Sequence, residues 1–403
     1  MIALLRRRVS FRRLWLAEVV SMLGDWLSLV AVASVAVTHG DGALSIAWVL
    51  VAHTLPKALL TPIAGPVADR FDRRAVLAVT YAAQAALTVL MLGAALGGWV
   101  TALTALVWLR ASAGAFAEPA RGAAMKDVVE EDELLTANAL DATTWSVMFS
   151  VGMALGGLFS ALSPALALAL DALTFVGATA LVLGLPRLAP PRPDAPLAPW
   201  RAFVEAGRAA RGRPDVVRAL TAKAPVALAG GAGWVLMNLV SERASILGSA
   251  AITFGLLQAV RGIGTGIGPA LSERAARDPR THRRLWVAAQ LAVFASVAAL
   301  ALPWGLGALL AVVFVWGLGT GGNWVLASAE LQRRAPGEVL GRLTALDVLL
   351  HTGAMGVGAL AFGGLVDAGG GEALSVGVPV TAAVLAFVVL GWLQRERLVA
   401  AVV

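Results

Sequence analysis

The sequence predicts an all-α integral membrane protein, twelve transmembrane helices in two pseudo-symmetric halves of six. Three observations carry this. The chain has 403 residues, of which 59% are apolar and only 14% charged, where a soluble domain carries about 25% charged residues; its mean hydropathy is +0.79. Apolar stretches of about 20 residues, the length that crosses a roughly 30 Å hydrocarbon core as a helix, recur twelve times. The basic residues fall almost entirely on one side of these stretches, so the net charge of +7 reads as membrane topology, and no nucleic-acid partner is indicated.

In order, the spans are placed at about residues 13–38, 43–64, 75–97, 99–118, 138–162, 164–186, 218–240, 249–271, 284–302, 307–329, 340–365 and 374–394. With the N-terminus inside, 27 of the 32 Lys and Arg residues lie at or beside inner segments and only Arg243 lies outside, which puts both termini in the cytoplasm of a cell membrane protein. Met1–Arg13 is basic, but the apolar run after it carries Glu18 and Asp25 and is too long for a cleavable leader. Residues 1–186 form the first half and 218–403 the second. Residues 187–217 are a cytoplasmic linker, proline-rich and then amphipathic over Trp200–Arg211. The halves echo each other, as transporter repeats do: Gly65–Arg74 has a degenerate counterpart in Gly268–Arg284, and the loops after spans 4 and 10 correspond.

The segment joining spans 2 and 3 is the most informative one. It reads Gly65-Pro66-Val67-Ala68-Asp69-Arg70-Phe71-Asp72-Arg73-Arg74. Gly65 permits a close approach or turn, Pro66 discourages continuation of the helix, and Asp69 suits the positive N-terminus of the next helix. With its Asp69, Arg70, Arg73 and Arg74, this G-x-x-x-D-R-x-x-R-R pattern between two early spans resembles the loop 2–3 signature of the major facilitator superfamily. Span 1 (Phe11-Arg12-Arg13-Leu14-Trp15, then Gly24-Asp25-Trp26), the Glu118-Pro119-Ala120-Arg121 loop and Asp171-Ala172-Leu173-Thr174-Phe175 of span 6 resemble the macrolide-efflux and enterobactin-exporter type. That resemblance implies proton-driven export of an amphipathic small molecule, such as a drug, macrolide or siderophore. Lysophospholipid transporters share the Gly-Asp and Pro-Ala features and supply the alternative. Span 5 keeps Gly152, Gly156 and Gly157 of the antiporter pattern but lacks its proline.

Ionisable residues inside spans are costly and mark partners or cavities. At 1.5 Å per residue, Asp25 lies roughly 18 Å and Arg110 roughly 16 Å deep, both near the midplane. Arg110-x-x-x-Gly114 matches the superfamily's span 4 motif, which implies that Asp25 and Arg110 line the central cavity. Asp25 is read as the proton site, with Arg110 stabilising its ionised form and burial opposing it; Glu18, shallower, is a further cavity candidate. His53 and Lys57 share one face of span 2, and Asp347 and His351 one face of span 11. Lys57 and Asp347 lie at matching depths of roughly 10 Å, and the resembled fold sets helices 2 and 11 side by side, so a Lys57–Asp347 inner gate flanked by His53 and His351, closed when the cavity faces outward, is expected. Lys223 and Arg261 also fall within spans, without an assigned role. Gly262, Gly264, Gly266 and Gly268 fail the nucleotide-loop pattern and form two small-xxx-small pairs. Trp15, Trp99, Trp286, Trp304 and Trp392 fit interfacial anchoring, and Trp26, Trp145, Trp234 and Trp324 fit an aromatic cavity wall. Without cysteine, H-E-x-x-H or G-x-S-x-G, neither metal, organic cofactor nor enzymatic chemistry is indicated. A monomer is expected, since each half supplies its own partner.

Overall fold

The computed structural model describes residues 2–188, 204–205, 207–208, 210–275, 279–336 and 339–369. Span 12, most of the linker and Trp392 lie outside them. Eleven of the twelve spans are helices: Val9–His39, Ala43–Arg70, Arg73–Leu96, Val100–Gly114 continued by Ala117–Val128, Leu134–Leu162, Pro164–Leu183, Pro214–Thr221 continued by Ala224–Arg243, Ala250–Ala275, Pro279–Ala299, Leu306–Arg334 and Leu340–Gly369. They are called spans 1 to 11 in that order. Ten are long and apolar enough to cross a membrane. Span 9 is less apolar because Arg280, Arg283 and Arg284 open it.

Span 1 packs on spans 5 and 6, span 3 on spans 4 and 6, span 7 on span 11, and span 8 on span 10. Spans 2 and 11, and spans 5 and 8, join the first six helices to the rest. Glycine decides how near span 8 comes to its neighbours. A Cβ on Gly255 would stand 2.5 Å from the Met153 carbonyl oxygen of span 5, and one on Gly157 2.6 Å from that of Ala251. The two small-xxx-small pairs of span 8 divide their work: Gly262 and Gly266 face Phe149, Ser150 and Ser146 of span 5, while Gly264 and Gly268 face Phe314 and Leu318 of span 10.

At the end of the bundle away from the arginine-rich turns, spans 2 and 11 are sealed. The Asp367 carboxylate accepts hydrogen bonds from the backbone N–H groups of Ala43 at 2.8 Å and Leu44 at 2.9 Å, capping span 2. Gly363 lies against Ala43 and Leu44, and Gly356 lies against Val51. At the arginine-rich end, a Cβ on Gly65 would meet nothing within 4 Å, so the expected close approach there is not made.

The turn between spans 2 and 3 also corrects two expectations. Span 2 runs through Pro56, Pro62 and Pro66 to Arg70. A proline loses one backbone donor but keeps a helical φ, so it bends a helix of this length without ending it. The cap of span 3 is therefore Asp72, whose Oδ1 accepts from the Arg74 N–H at 2.9 Å, and Asp69 lies in the last turn of span 2. Of the three arginines, Arg73 is buried and pairs with Asp127 at the end of span 4. Arg74 donates to the Leu183 carbonyl of span 6 at 2.5 Å, and Arg70 lies beside the Phe71 ring.

Two tryptophan expectations also change. Trp286 is buried and donates to Asn323 of span 10 at 2.8 Å, and Trp234 is buried against Phe254. Trp99 and Trp304 are exposed, as interfacial anchors are.

Candidate functional site

The centre of the first six helices is a charge cluster built from four spans. Arg110 of span 4 reaches Asp25 of span 1 at 3.1 Å and pairs with Asp171 of span 6. Lys57 of span 2 approaches the other oxygen of Asp25 at 3.7 Å. Arg110 and Asp171 are sealed, while the side chains of Asp25 and Lys57 are 24% and 39% exposed. Asp25 and Lys57 thus form the partly exposed side of the cluster, and Arg110 and Asp171 its enclosed side. His53, buried one turn before Lys57, lies beside the Trp26 ring, 6.1 Å between centroids.

The packing explains why the carboxylates meet one guanidinium. Gly24 precedes Asp25, and any Cβ there would collide with the side chains of Asp171 and Thr174. Glycine thus lets span 1 lie against span 6, so that Asp25 and Asp171 share Arg110. The guanidinium's five donors suit two carboxylates at once, and the Phe175 ring lies 5.6 Å from its carbon. The sequence alone assigns Asp171 no chemistry. Its depth in span 6, about seven residues from Pro164, carries the same signal as that of Asp25.

A second cluster lies in the other half and engages Asp347, so the Lys57–Asp347 contact expected of the outward-facing state is not made in this structure. Lys223, at the junction between the two helices of span 7, binds Asp347 of span 11 at 2.6 Å and Ser328 of span 10 at 2.8 Å. Its ammonium also stands 4.0 Å from the Trp324 ring centre. Lys57 and Asp347 do not pair in this structure, because each has a partner of opposite charge within its own half. For a buried charge the nearest partner outweighs matching depth, since an unpaired charge in low dielectric is expensive. His351 sits edge-on to Trp324, 5.2 Å between centroids, so the two histidines belong to separate halves. Trp324 is 42% exposed although it lies under Lys223, as a cleft wall would be.

Glu18 does not reach the surface. It is buried, 2.9 Å from Arg121, which also pairs with Asp141 of span 5. Phe11, Leu14, Trp15, Met125 and Ala137 enclose this group. The cluster ties spans 1, 4 and 5 together near their arginine-rich ends. Sequence reasoning misses Asp141 because it falls only a few residues inside the predicted start of span 5.

A bundle of membrane-spanning helices with paired charges buried at mid-depth is the build of a membrane transporter of the major facilitator fold. The family model described as transmembrane secretion effector, a branch of that superfamily, matches residues 2–399, and the chain belongs to that family. A Bacillus subtilis (strain 168) protein called uncharacterized MFS-type transporter YfiS is 27% identical over 158 residues. The match spans 38% of this chain and about a third (36%) of that relative's length. The crystal structure of the nucleoside transporter NupG superposes with a TM-score of 0.75 at 15% identity, covering 94% of this chain and 98% of that one. A POT family transporter in complex with 5-aminolevulinic acid gives 0.73 at 9% identity and 96% of each chain. At such identities these likenesses establish the fold.

Proposed function

We propose that the protein is a proton-coupled exporter of amphipathic small molecules, working by alternating access in a cell membrane with its arginine-rich ends in the cytoplasm. The observation that carries this reading is the shared guanidinium: Arg110 is held by the sealed Asp171 and by Asp25, and of the two carboxylates only Asp25 is partly exposed and also meets Lys57. Asp171 fixes the arginine in place. Asp25 is then free to gain or lose a proton without leaving Arg110 unpaired. Protonation of Asp25 weakens its hold on Lys57 and Arg110; deprotonation restores it. A substrate entering the cleft changes the solvation of the same carboxylate, and this couples its occupancy to the proton.

The seal at spans 2 and 11 supports a cleft open toward the cytoplasm in this structure, the state that would load an exported substrate. The bias of basic residues supports the orientation. Two halves of six helices joined by residues 187–217, acting as a monomer, suffice for this cycle.

The test is uptake into inverted vesicles under an imposed pH gradient, with a panel of a cationic dye, a macrolide, an anionic naphthalene dye and a lysophospholipid. Gradient-dependent uptake that Asp25→Asn abolishes, with the variant inserted and folded, supports the coupling. Uptake that ignores the gradient and survives Asp25→Asn sinks it and favours facilitated lipid or solute movement.

A further inference from the structure

Four basic residues lie in the middle stretches of the spans, away from their arginine-rich ends: Lys57, Arg110, Lys223 and Arg261. The first three are each paired with a carboxylate. Arg261 is the exception. It lies eleven residues into span 8 from Ala250, roughly 16 Å from that end and near the midplane. Its Nε donates to Gln258 Oε1 at 2.7 Å. Neither terminal nitrogen has a hydrogen-bond partner among the described residues, and neither is sealed from solvent. No charge among the described residues pairs with it.

What surrounds it is aromatic. Its guanidinium carbon stands 5.2 Å from the Phe149 ring centre of span 5 and 5.1 Å from that of Trp316 of span 10. Such rings attract a cation but accept no conventional hydrogen bond from its outer N–H groups. Phe149 in turn stacks on Trp145, 5.6 Å between centroids and 4° between planes, and meets Trp26 edge-on at 4.7 Å. Trp145 is 38% exposed. A continuous row of ring contacts thus runs from the Asp25 helix through the buried Phe149 to an arginine with free donors, with Trp145 its exposed member.

A charged side chain at this depth is costly unless something answers it. We infer that Arg261 is the binding residue for an anionic group of the transported molecule, a carboxylate, sulfonate or phosphate, with the molecule's apolar body lying along Trp26 and Trp145, which Phe149 backs. The inference rests on the exporter reading for the cleft's role as a passage and narrows the cargo to anionic amphiphiles. A cationic drug would meet like charge at this point. Span 8 touches both span 5 of the first half and span 10 of its own. An anion on Arg261 is therefore felt on both sides of the boundary that moves during alternating access.

The test is binding to purified protein in detergent, which requires neither gradient nor flux. The probes are 2-naphthalenesulfonate, 2-naphthylmethanol and 2-naphthylmethylammonium, matched in body and differing in charge. Lysophosphatidylglycerol and monoacylglycerol form a second, lipid pair. The expectation is that an anionic probe binds about tenfold or more tightly than its neutral match, the scale of one charge-assisted hydrogen bond. Arg261→Gln should remove that preference without changing the affinity for the neutral match, and Arg261→Lys should restore much of it. A preference confined to lysophosphatidylglycerol assigns the anion to a lipid head; one confined to the sulfonate assigns it to a soluble solute. Either supports the site.

Equal binding of anionic and cationic probes overturns it, as does an anion preference that survives Arg261→Gln, or no anionic binding up to millimolar concentration. Size-exclusion profiles show whether the variants are folded, and Arg261→Lys provides a second reading should Arg261→Gln fail to fold. Binding that depends on Arg261 without gradient-driven uptake would defeat the exporter reading alone. Gradient-driven uptake indifferent to Arg261 would defeat this inference alone.

Discussion

Asp171 and Arg110 form a completely enclosed ion pair between spans 6 and 4, with Asp171 wholly buried and the arginine side chain 3% exposed. Asp25, bound to the same guanidinium at 3.1 Å, remains 24% exposed. One arginine therefore holds two carboxylates in different surroundings. In the proposed cycle the enclosed carboxylate positions the cation and the accessible one exchanges protons.

Separate variants should divide these roles. Asp171→Asn leaves a buried guanidinium with one carboxylate instead of two, and breaking a buried pair costs about 3–5 kcal/mol. It should lower the apparent melting temperature of the purified protein far more than Asp25→Asn does. Asp25→Asn should instead uncouple uptake from the gradient while leaving the protein close to wild type in stability. Equal melting temperatures for the two variants would contradict the division.

The Lys223–Asp347 pair invites a double-mutant cycle. Both side chains are almost fully enclosed, at 2% and 3% exposure. Lys223→Met should strand the Asp347 carboxylate, and Asp347→Leu should strand the ammonium, each costing about 3–5 kcal/mol. The double variant should recover most of that loss, because neither charge then remains buried alone. Thermal unfolding in detergent measures the cycle; additive losses would mean that the contact does not couple the two residues.

Most of the fold was legible in the sequence because apolar length and the side bias of arginine are one-dimensional signals. Eleven of the twelve spans fall close to their predicted places among the described residues. The ion pairs were only partly legible. Asp25 and Arg110 are found from depth alone, and depth serves when two residues are brought together by a known arrangement of spans. It does not reveal that Lys223, at a helix junction, holds Asp347 in this structure, because pairing depends on the rotation of each helix about its axis. Pro66 misleads in the same local way: a proline marks a lost donor, but surrounding packing decides whether the helix ends.

The Arg121 cluster should be structural. Arg121 answers both Glu18 and Asp141, so Arg121→Ala leaves two carboxylates facing each other near buried apolar side chains. Sharply reduced yield of folded protein is expected. Glu18→Gln removes one of the two negative charges and keeps the Arg121–Asp141 pair. It should retain gradient-driven uptake within about twofold, with stability changed by about 1 kcal/mol or less, the scale of one ordinary hydrogen bond. Loss of coupling in Glu18→Gln would return this residue to the proton path.

The cap that Asp367 places on span 2 should hold the far end of the cleft shut. Its two hydrogen bonds to the Ala43 and Leu44 N–H groups exist only while spans 2 and 11 touch there. Removing them should raise the population of the state open at that end. Loss of a helix cap typically costs about 1 kcal/mol, so Asp367→Ala should enrich the opposite state about fivefold. The chain contains no cysteine, and a single Val51→Cys therefore reports cleanly. Val51 is buried against Gly356 of span 11, and an impermeant maleimide added to the arginine-poor face reaches it only when the spans part. Labelling from that face should accelerate about fivefold when Asp367→Ala is added. An unchanged rate would mean that the glycine contacts of span 11 alone keep this end closed.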